Sequence, residues 1–341
     1  RGLKAFFKLT KSFSGENPNP KTLLHMFDHI IKPILLYGSE IWGTFNPVSS
    51  KIRRASSFQV DKGFEGIPAE KLHLKFCKYA LKVRKNVTNN AVYGELGRHP
   101  LYLPILKNCI AYWQRLELAE DNSLLKHALT ENKNQHAKGI QSWYSFIHFI
   151  LKHYDLSLYL DNPESSSLAT LIESLSNQIF EENILKWKTE ISSDYGKSGS
   201  GSGNKLRSYK LFKSQFELEN YLLCIKDSNA RRTLTNFRIS AHDLAIERGR
   251  YLKTPLEDRL CVFCDEGAVE DEIHFLLECS NYNGLRKEFF SKVENKCKNF
   301  SALTSKNKFI WLLSNDDPDI CNLLAEFITR CFMFRKNTRQ D

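Results

Sequence analysis

The sequence predicts a mainly α-helical fold in which a helical bundle precedes a small zinc-stapled module. Gly and Pro are sparse, at 16 and 10 of 341 residues, which favours long helices over many short strands. Hydrophobic residues make up 42% of the chain and aromatic residues 12%, enough to bury a full core. Four Cys and His residues between positions 261 and 279 indicate that the last part of the chain is held by a metal.

Apolar residues recur at helical spacing through most of the chain. Residues 20–43 predict a helix with Leu23, Leu24 and Phe27 on one face, interrupted at Pro33. Residues 105–188 predict acidic helices with tryptophans as core anchors, namely Trp113, Trp143 and Trp187. In contrast, the stretch "NNAVYGELGRHPLYLPI" (89–105) combines Gly and Pro at short intervals, and it predicts a rigid connector without regular structure.

The cysteine content predicts a reduced intracellular protein, located in the nucleus, the cytoplasm or both. Nine cysteines are an odd number, which argues for a metal cluster and against a disulfide framework. Five of them stand alone in apolar segments: Cys77, Cys109, Cys224, Cys321 and Cys331. No uncharged apolar run approaches 18 residues, so no membrane span is expected.

The net charge of +10 is distributed unevenly. Lys and Arg number 19 against 7 Asp and Glu in residues 1–116, 6 against 11 in 117–190, and 24 against 21 in 191–341. We therefore predict a basic helical region (1–116), an acidic helical region (117–197) and a second basic helical region (204–341). The stretch "SGSGSG", residues 198–203, predicts a flexible linker, native or engineered. A basic first third indicates contact with polyphosphate, and the alternative is a lysine-rich surface that is only solvated.

The segment "EKLHLKFCKYALKVRK" (70–85) predicts an amphipathic helix with a lysine face. Leu72, Phe76 and Tyr79 form an apolar stripe at helical spacing. The candidate nucleic-acid contacts beside or opposite this stripe are Lys71, Lys75, Lys78 and Lys82. Such a face can follow a phosphate backbone or be an ordinary solvated helix face, and the sequence leaves both interpretations open.

A second basic group precedes the metal motif, in "ARRTLTNFRISAHDLAIERGRY" (230–251). Its candidate nucleic-acid contacts are Arg231, Arg232, Arg238, His242, Arg248 and Arg250. His242 follows Arg238 by one turn, so the two are expected to share a phosphate, or His242 to stack on a base. The alternative is that Glu247 and neighbouring acids neutralise the arginines inside the fold.

The metal motif has the spacing C-x2-C-x9-H-x4-C, and its ligands are Cys261, Cys264, His274 and Cys279. Zinc takes four tetrahedral N and S donors, and a Cys-x-x-Cys turn places two thiolates on one side of the ion. The acidic residues 270–272 favour a helix start, and Cys279, five positions after His274, is expected where that helix ends. Because Cys3His closes all four positions, we predict one structural Zn2+ and no catalytic metal.

Several segments in order resemble the region downstream of the polymerase palm in reverse transcriptases of LINE-type non-LTR retrotransposons. They are "KPILLYGSEIWG", "EKLHLKFCKYALKV", "NAVYGELGRHPL", "FRISAHDLAIERGRY" and the block from Cys261 to Arg286. The most specific part is the Cys-Cys-His-Cys element, matched by the four ligands above. The resemblance covers roughly the whole chain. It implies a thumb-like helical region, template RNA and/or target DNA as the partner, and a polymerase domain upstream.

No catalytic site is expected in this chain. Polymerases of the family hold two metal-binding aspartates in an aromatic-x-Asp-Asp turn, whereas Asp316 and Asp317 in "SNDDPD" lack the aromatic residue. A restriction-like nuclease motif also fails, because "PDICNLLAEF" has no lysine at the required place. The expected function is a nucleic-acid-binding C-terminal region of such an enzyme. The alternatives are a protein-interaction or scaffold module of a host-adopted remnant with structural zinc, and an enzyme with an unrecognised site.

Overall fold

The structure, a computed structural model, describes residues 1–13, 15–44, 64, 66–163, 167–193 and 205–338. Within these ranges the regular structure is helical, apart from two isolated β-bridges, Leu96–Leu218 and Leu260–Val269. The prediction of a mainly α fold is confirmed. Among the described helices none is both long and apolar enough to cross a membrane. The predicted linker at 198–203 lies outside the described residues.

The helices of the first half of the chain are α1 (Gly2–Ser12), α2 (Pro20–Met26), α3 (Lys32–Leu36), α4 (Ser39–Trp42), α5 (Pro68–Ala80), α6 (Asn89–Leu96), α7 (Tyr102–Glu117), α8 (Leu124–Ala137), α9 (Trp143–His153) and α10 (Leu158–Asp161). Those of the second half are α11 (Leu168–Ser192), α12 (Tyr209–Phe212), α13 (Tyr221–Cys224), α14 (Ser228–Arg238), α15 (Ala245–Leu252), α16 (Asn283–Glu294), α17 (Ser305–Leu313) and α18 (Pro318–Thr338). Two π-helical turns cover Phe27–Ile31 and His274–Glu278, and a 3-10 turn covers Ser280–Tyr282.

The chain forms two compact units, each assembled from separate stretches. The first unit takes its described residues from 1–12, 26–76 and 99–185, and the second takes them from 13–25, 77–98 and 186–341. The regions predicted above follow charge along the chain, so they are not the same subdivision as these units.

Helix α7 is central to the first unit and packs against α4, α8 and α9. Its buried face carries Ile105, Cys109 and Trp113 at four-residue spacing, as the period of an α-helix requires. Trp143 is buried as well, and its indole N–H donates to the backbone oxygen of Glu40 at 3.0 Å. Trp113 and Trp143 are therefore core anchors, as predicted.

Helix α18 is central to the second unit and packs against α13, α14, α16 and α17. Its buried face carries Leu324, Phe327, Ile328 and Cys331. The third predicted anchor, Trp187, is buried in the core of this unit and belongs to the long helix α11.

Residues 89–96 form helix α6, so the prediction of a connector without regular structure is wrong for this stretch. Gly94 lies inside the helix, at a position that has no room for a side chain. A Cβ there would stand 2.6 Å from the Tyr209 hydroxyl and 2.8 Å from the Trp187 ring. Gly97 ends the helix with φ +54°, where a Cβ would approach the Leu218 nitrogen to 2.5 Å. Gly94 permits close packing and Gly97 ends the helix. In the sequence, glycines with these roles cannot be distinguished from glycines in turns.

The two helices predicted early in the chain form, with shifted ends. The first runs from Pro20 to Leu36 with a π-helical turn, and Pro33 is accommodated in the first turn of α3. Gly38, with φ +71°, separates it from α4. The lysine-rich helix α5 ends at Ala80, and Lys82 takes a left-handed conformation with φ +54°.

Candidate metal centre and basic surface

The four predicted metal ligands converge in the second unit. One ligand atom from each of Cys261, Cys264, His274 and Cys279 lies within 4.8 Å of the others. The Sγ atoms of Cys261 and Cys279 are 3.9 Å apart, and Cys264 Sγ is 3.4 Å from His274 Nε2. A tetrahedral zinc ion would separate two sulfurs by about 3.8 Å and a sulfur from a nitrogen by about 3.6 Å. The group could therefore hold a metal ion, and its geometry fits a four-coordinate one.

A short hairpin positions the first two ligands. The Cys261 N–H donates to the backbone oxygen of Ala268 at 2.8 Å, and the Glu270 N–H donates to that of Arg259 at 2.9 Å. Gly267, with φ +62°, lies in the loop between the two paired segments. The hairpin thus holds the Cys-x-x-Cys turn at its tip, with both thiols on one side.

A π-helical turn positions the other two ligands. Asp271 accepts hydrogen bonds from the backbone N–H groups of Ile273 and His274 at 2.9 and 2.8 Å, and so caps the start of this helix. The Cys279 N–H then donates to the His274 backbone oxygen at 2.7 Å, five residues back. Cys279 stands where the helix ends, as predicted. The π turn was not predicted, because the five-residue ligand spacing is its only signal in the sequence.

The protonation chemistry of the site suits a cation. Burial raises the pKa of the Cys261 and Cys279 thiols, so without a positive charge these groups stay neutral. A bound metal would reverse that preference, since thiolates are its ligands. The Nδ1 atom of His274 is 3.9 Å from a Glu266 carboxylate oxygen, which is too far for a hydrogen bond but places a negative charge beside the imidazole.

Buried ion pairs connect the metal group to the helices of the second unit. Glu270 is buried and pairs with both terminal nitrogens of Arg335 on α18. The Arg335 guanidinium also lies 4.3 Å from the ring centre of Phe263 in the Cys-x-x-Cys turn. Arg286 on α16 donates to the backbone oxygen of Cys279 at 2.8 Å. Of the acidic residues expected at a helix start, Asp271 has that role, while Glu270 belongs to an ion pair.

Arg238, one of the predicted phosphate contacts, is 3% exposed. Its Nε donates to Glu95 at 3.0 Å, and its Nη2 donates to Glu95 at 3.1 Å and to Glu219 at 2.5 Å. The guanidinium also lies 4.7 and 4.8 Å from the ring centres of Phe212 and Tyr221. A phosphate would have to displace both carboxylates to reach it, so we assign Arg238 a structural role.

His242, which was expected to share a phosphate with Arg238, is buried beside a different carboxylate. The His242 side chain is 2% exposed, and its Nε2 lies 2.9 Å from Glu272, which also accepts from Arg207 at 2.6 Å. Although burial favours the neutral acid, the charge of Arg207 and the hydrogen bond with His242 hold the pKa of Glu272 below its ordinary value. Arg231 is buried as well, and it donates to the backbone oxygen of Ile225 at 2.8 Å.

The remaining predicted arginines reach the surface. Arg232 and Arg248 are exposed, and Arg250 is partly exposed with its Nε 3.7 Å from Glu247. Glu247 is buried and binds Arg207 at 2.6 Å. Neutralisation by Glu247 therefore applies to Arg207, which the sequence did not single out, and in part to Arg250.

The four predicted lysines divide between the two units. Lys71 and Lys75 are exposed on the part of α5 that belongs to the first unit, and the Lys75 ammonium lies 5.2 and 4.9 Å from the ring centres of Phe6 and Phe7. Lys78 and Lys82 belong to the second unit, where Lys82 donates to Asn17 at 2.6 Å.

Six cations of the second unit form what we call the basic surface: Lys78, Lys82, Lys85, Lys205, Arg232 and Arg250. Charge–charge interactions connect Lys78 with Lys205, Lys205 with Arg250, and Lys82 with Arg232, while Lys85 is joined through its backbone to Lys78. Burial together with the charge of Lys205 lowers the pKa of Lys78, whose ammonium donates to the Lys85 backbone oxygen at 2.8 Å. Burial and the charges of Arg231 and Arg232 lower the pKa of Lys82. Burial also lowers the pKa of Lys205; the charge of Glu247 opposes this shift, and the charges of Arg250 and Arg207 add to it. Lys205 could not be selected from the sequence, where it follows the Ser/Gly stretch closely.

The first unit has an apolar groove of about 670 Å3 formed by α1, α3, α4 and α5. Apolar side chains including Leu3, Ile34, Trp42 and Leu72 line it. Lys71 and Lys75 supply its positive charge. The lysines predicted to follow a phosphate backbone thus include two that border an apolar surface.

No protein-family model, no curated protein and no solved structure matches this chain. The resemblance to LINE-type reverse transcriptases therefore depends on the sequence segments and on the spacing of the four metal ligands.

Proposed function

We propose that this chain is a nucleic-acid-binding region from the C-terminal part of a non-LTR retrotransposon reverse transcriptase, held by one structural Zn2+. The observation that carries the proposal is the basic surface. Its cations come from α5 and the turn after it, from α14, from α15 and from Lys205, so four separate stretches of the chain contribute positive charges, several of which interact with one another.

Placing Lys78, Lys82 and Lys205 in partly buried positions near other cations opposes folding, since both effects make these ammonium groups harder to protonate. A polyanion relieves that repulsion, and every phosphate neutralised also releases counterions from the nucleic acid. A surface that is unfavourable alone and favourable with phosphates is what a nucleic-acid-binding protein needs. Template RNA and target DNA both supply such phosphates.

The metal group is proposed to be structural. Four protein ligands close the coordination sphere of zinc, which leaves no position for a substrate or a water. Through Glu270 and Arg335 the same group is tied to α18, and Glu270 also accepts from the backbone N–H of Ala245 at the start of α15. Zinc would in this way fix the helix that carries Arg250.

In the proposed role the chain grips nucleic acid while an upstream polymerase domain performs synthesis. Asp317, the nearest candidate for a catalytic carboxylate, accepts hydrogen bonds from the backbone N–H groups of Asp319 and Ile320 at 2.7 and 3.3 Å. It therefore serves as the cap of α18. With template, primer and Mg2+, we expect this chain to extend no primer.

A salt-dependent binding titration tests the function. Structured RNA, single strands and duplex DNA are titrated between 50 and 200 mM salt, a range over which several phosphate contacts lower affinity steeply. The double variant Lys82→Gln/Arg232→Gln should weaken binding and flatten the salt slope. The control is Lys296→Gln, which removes a positive charge already paired with Asp319 at 2.5 Å. Binding by the wild-type chain that does not depend on salt would contradict the proposal.

The apolar groove of the first unit favours a second candidate, a protein-interaction module of a host-adopted remnant. Its apolar lining and its two lysines suit an amphipathic helix with acidic residues along one edge. This function is favoured if the basic-surface variants leave nucleic-acid binding unchanged while Lys71→Glu/Lys75→Glu abolishes binding of an acidic amphipathic peptide.

A further inference from the structure

One aromatic side chain stands in the basic surface. Tyr251 is 69% exposed and directly follows Arg250 near the end of α15. Its hydroxyl accepts a hydrogen bond from the Asn86 side chain at 3.4 Å. Asn86 in turn follows Lys85, whose backbone oxygen is bound by Lys78. The Tyr251 hydroxyl is therefore bound to the segment that follows Lys85, while the Tyr251 backbone follows Arg250.

The backbone around Tyr251 is held in place. Lys253, with φ +57°, ends α15 in a left-handed conformation, and the Thr254 N–H donates back to the Gly249 oxygen at 2.9 Å. Gly249 packs on Arg259, where a Cβ would come within 2.6 Å of the arginine side chain. Arg259 also donates to the backbone oxygen of Ile246 at 3.0 Å. Contacts with Arg259 thus hold the last turn of α15 in place.

We propose that Tyr251 is a stacking platform for an unpaired base, so that the basic surface takes single-stranded RNA or DNA in preference to duplex. This inference rests on the proposed nucleic-acid function and names its substrate class. Proteins that bind single strands combine cations along the phosphate backbone with exposed aromatic rings on which bases stack. In a duplex the bases already stack on one another and present only their edges.

The cations and the Tyr251 ring are expected to recognise different parts of the nucleic acid. Phosphates are recognised by the cations whatever the strand state, whereas the ring contributes only where a base is free to turn toward it. Loss of the ring should therefore weaken single-strand binding without changing the number of phosphates neutralised, and the salt slope should stay constant.

The test uses the full chain and three probes at one fixed salt concentration: a single-stranded RNA, a single-stranded DNA of the same sequence and the corresponding duplex DNA. Tyr251→Ala should lower affinity for the single strands by about 5- to 150-fold and leave duplex affinity within about twofold. Tyr251→Phe should restore single-strand binding, because the ring and not the hydroxyl does the stacking. Leu252→Ala, at the neighbouring position that is 70% exposed, is the matched control and should change little.

Three results would overturn the inference, and they are distinguishable from failure of the proposed function. Equal loss on single strands and duplex, no loss on any probe, or no rescue by Tyr251→Phe would each remove Tyr251 as a stacking platform while Lys82→Gln/Arg232→Gln still weakens binding. If the wild-type chain binds none of the probes, the function fails and the inference fails with it.

Discussion

The interior and the surface of the second unit use positive charge in opposite ways. Inside, Arg238 is enclosed by Glu95 and Glu219, and Arg335 is paired with Glu270. On the basic surface, Lys78 and Lys82 stand beside other cations. A planar guanidinium can satisfy two carboxylates at once and so tolerates burial, whereas a compact ammonium remains hydrated and shifts its pKa when it is crowded. Positive charge that is enclosed by carboxylates supports the fold, whereas positive charge at the basic surface is available to a ligand.

The metal group also belongs to the interior of the second unit. Loss of the metal should reduce the stability of this unit more than any other change. Purified protein is expected to carry one Zn per chain. Chelation or Cys264→Ser should unfold the region around 255–285, because binding free energies on the order of 10 kcal/mol at such sites are folding free energy. Metal analysis and hydrogen exchange measure both outcomes, with Cys297→Ser outside the group as the control. Absence of zinc together with rapid alkylation of Cys261 and Cys264 in folded protein would contradict the assignment.

Breaking the interior ion pair should have the next largest effect. Arg238→Ala leaves the carboxylates of Glu95 and Glu219 buried without their partner, which should lower the free energy of unfolding by about 3–5 kcal/mol. Arg232→Ala removes an exposed arginine of the same helix and should change stability by no more than about 0.5 kcal/mol. Denaturant unfolding gives both values.

The same pair of variants separates structure from binding. Where the Arg238→Ala protein is still folded, its salt slope for nucleic acid should equal that of the wild-type chain. A stable Arg238→Ala protein with a flattened slope would mean that this arginine contacts phosphates after all, and the comparison between interior and surface would fail.

Substitutions in the basic surface should change nucleic-acid binding with little change in stability. Lys82→Gln and Lys205→Gln should each lower the salt slope by about one unit and reduce affinity similarly for every sequence. Lys75→Gln should change the slope less, because its ammonium already lies against the rings of Phe6 and Phe7. Equal slopes for all three variants would extend the binding surface to the lysines of the first unit.

The smallest expected effect concerns the pH dependence of stability. Because the pKa of Lys78 is lowered in the folded chain, its charged form opposes folding at neutral pH, and that penalty disappears as pH rises above the pKa of the unfolded side chain. Lys78→Gln should therefore stabilise the protein by about a few tenths of a kcal/mol at pH 7, since solvent screens a partly exposed charge. It should also flatten the gain in stability of the wild-type chain between about pH 9 and 11.

Thermal unfolding at these pH values measures the stability of the variant, and the binding titration measures its affinity for nucleic acid. A variant that is more stable and binds less tightly would identify Lys78 as a residue whose charge serves the ligand at the expense of the fold. A destabilised variant would instead show that the hydrogen bond to the Lys85 backbone oxygen outweighs the repulsion.

Features that depend on local spacing could be predicted from the sequence. The helical class follows from apolar periodicity, and the four metal ligands stand within nineteen positions, so a hairpin and one helical turn are enough to bring them together. The end of that helix at Cys279 could be predicted for the same reason. The π turn could not, because it requires the widened hydrogen bond from Cys279 to His274 that no residue type marks.

Whether each basic residue is buried in an ion pair or exposed depends on tertiary contacts. Arg232 and Arg238 belong to one helix and look equivalent in the sequence, yet Arg238 meets Glu95, which is 143 positions away along the chain. Lys205 joins the basic surface through its interaction with Lys78, and Tyr209 and Trp187 approach α6 closely at Gly94, which has no Cβ. Periodicity reports which face of a helix is apolar, but the partner of a buried charge is chosen by contacts between segments that the sequence places far apart.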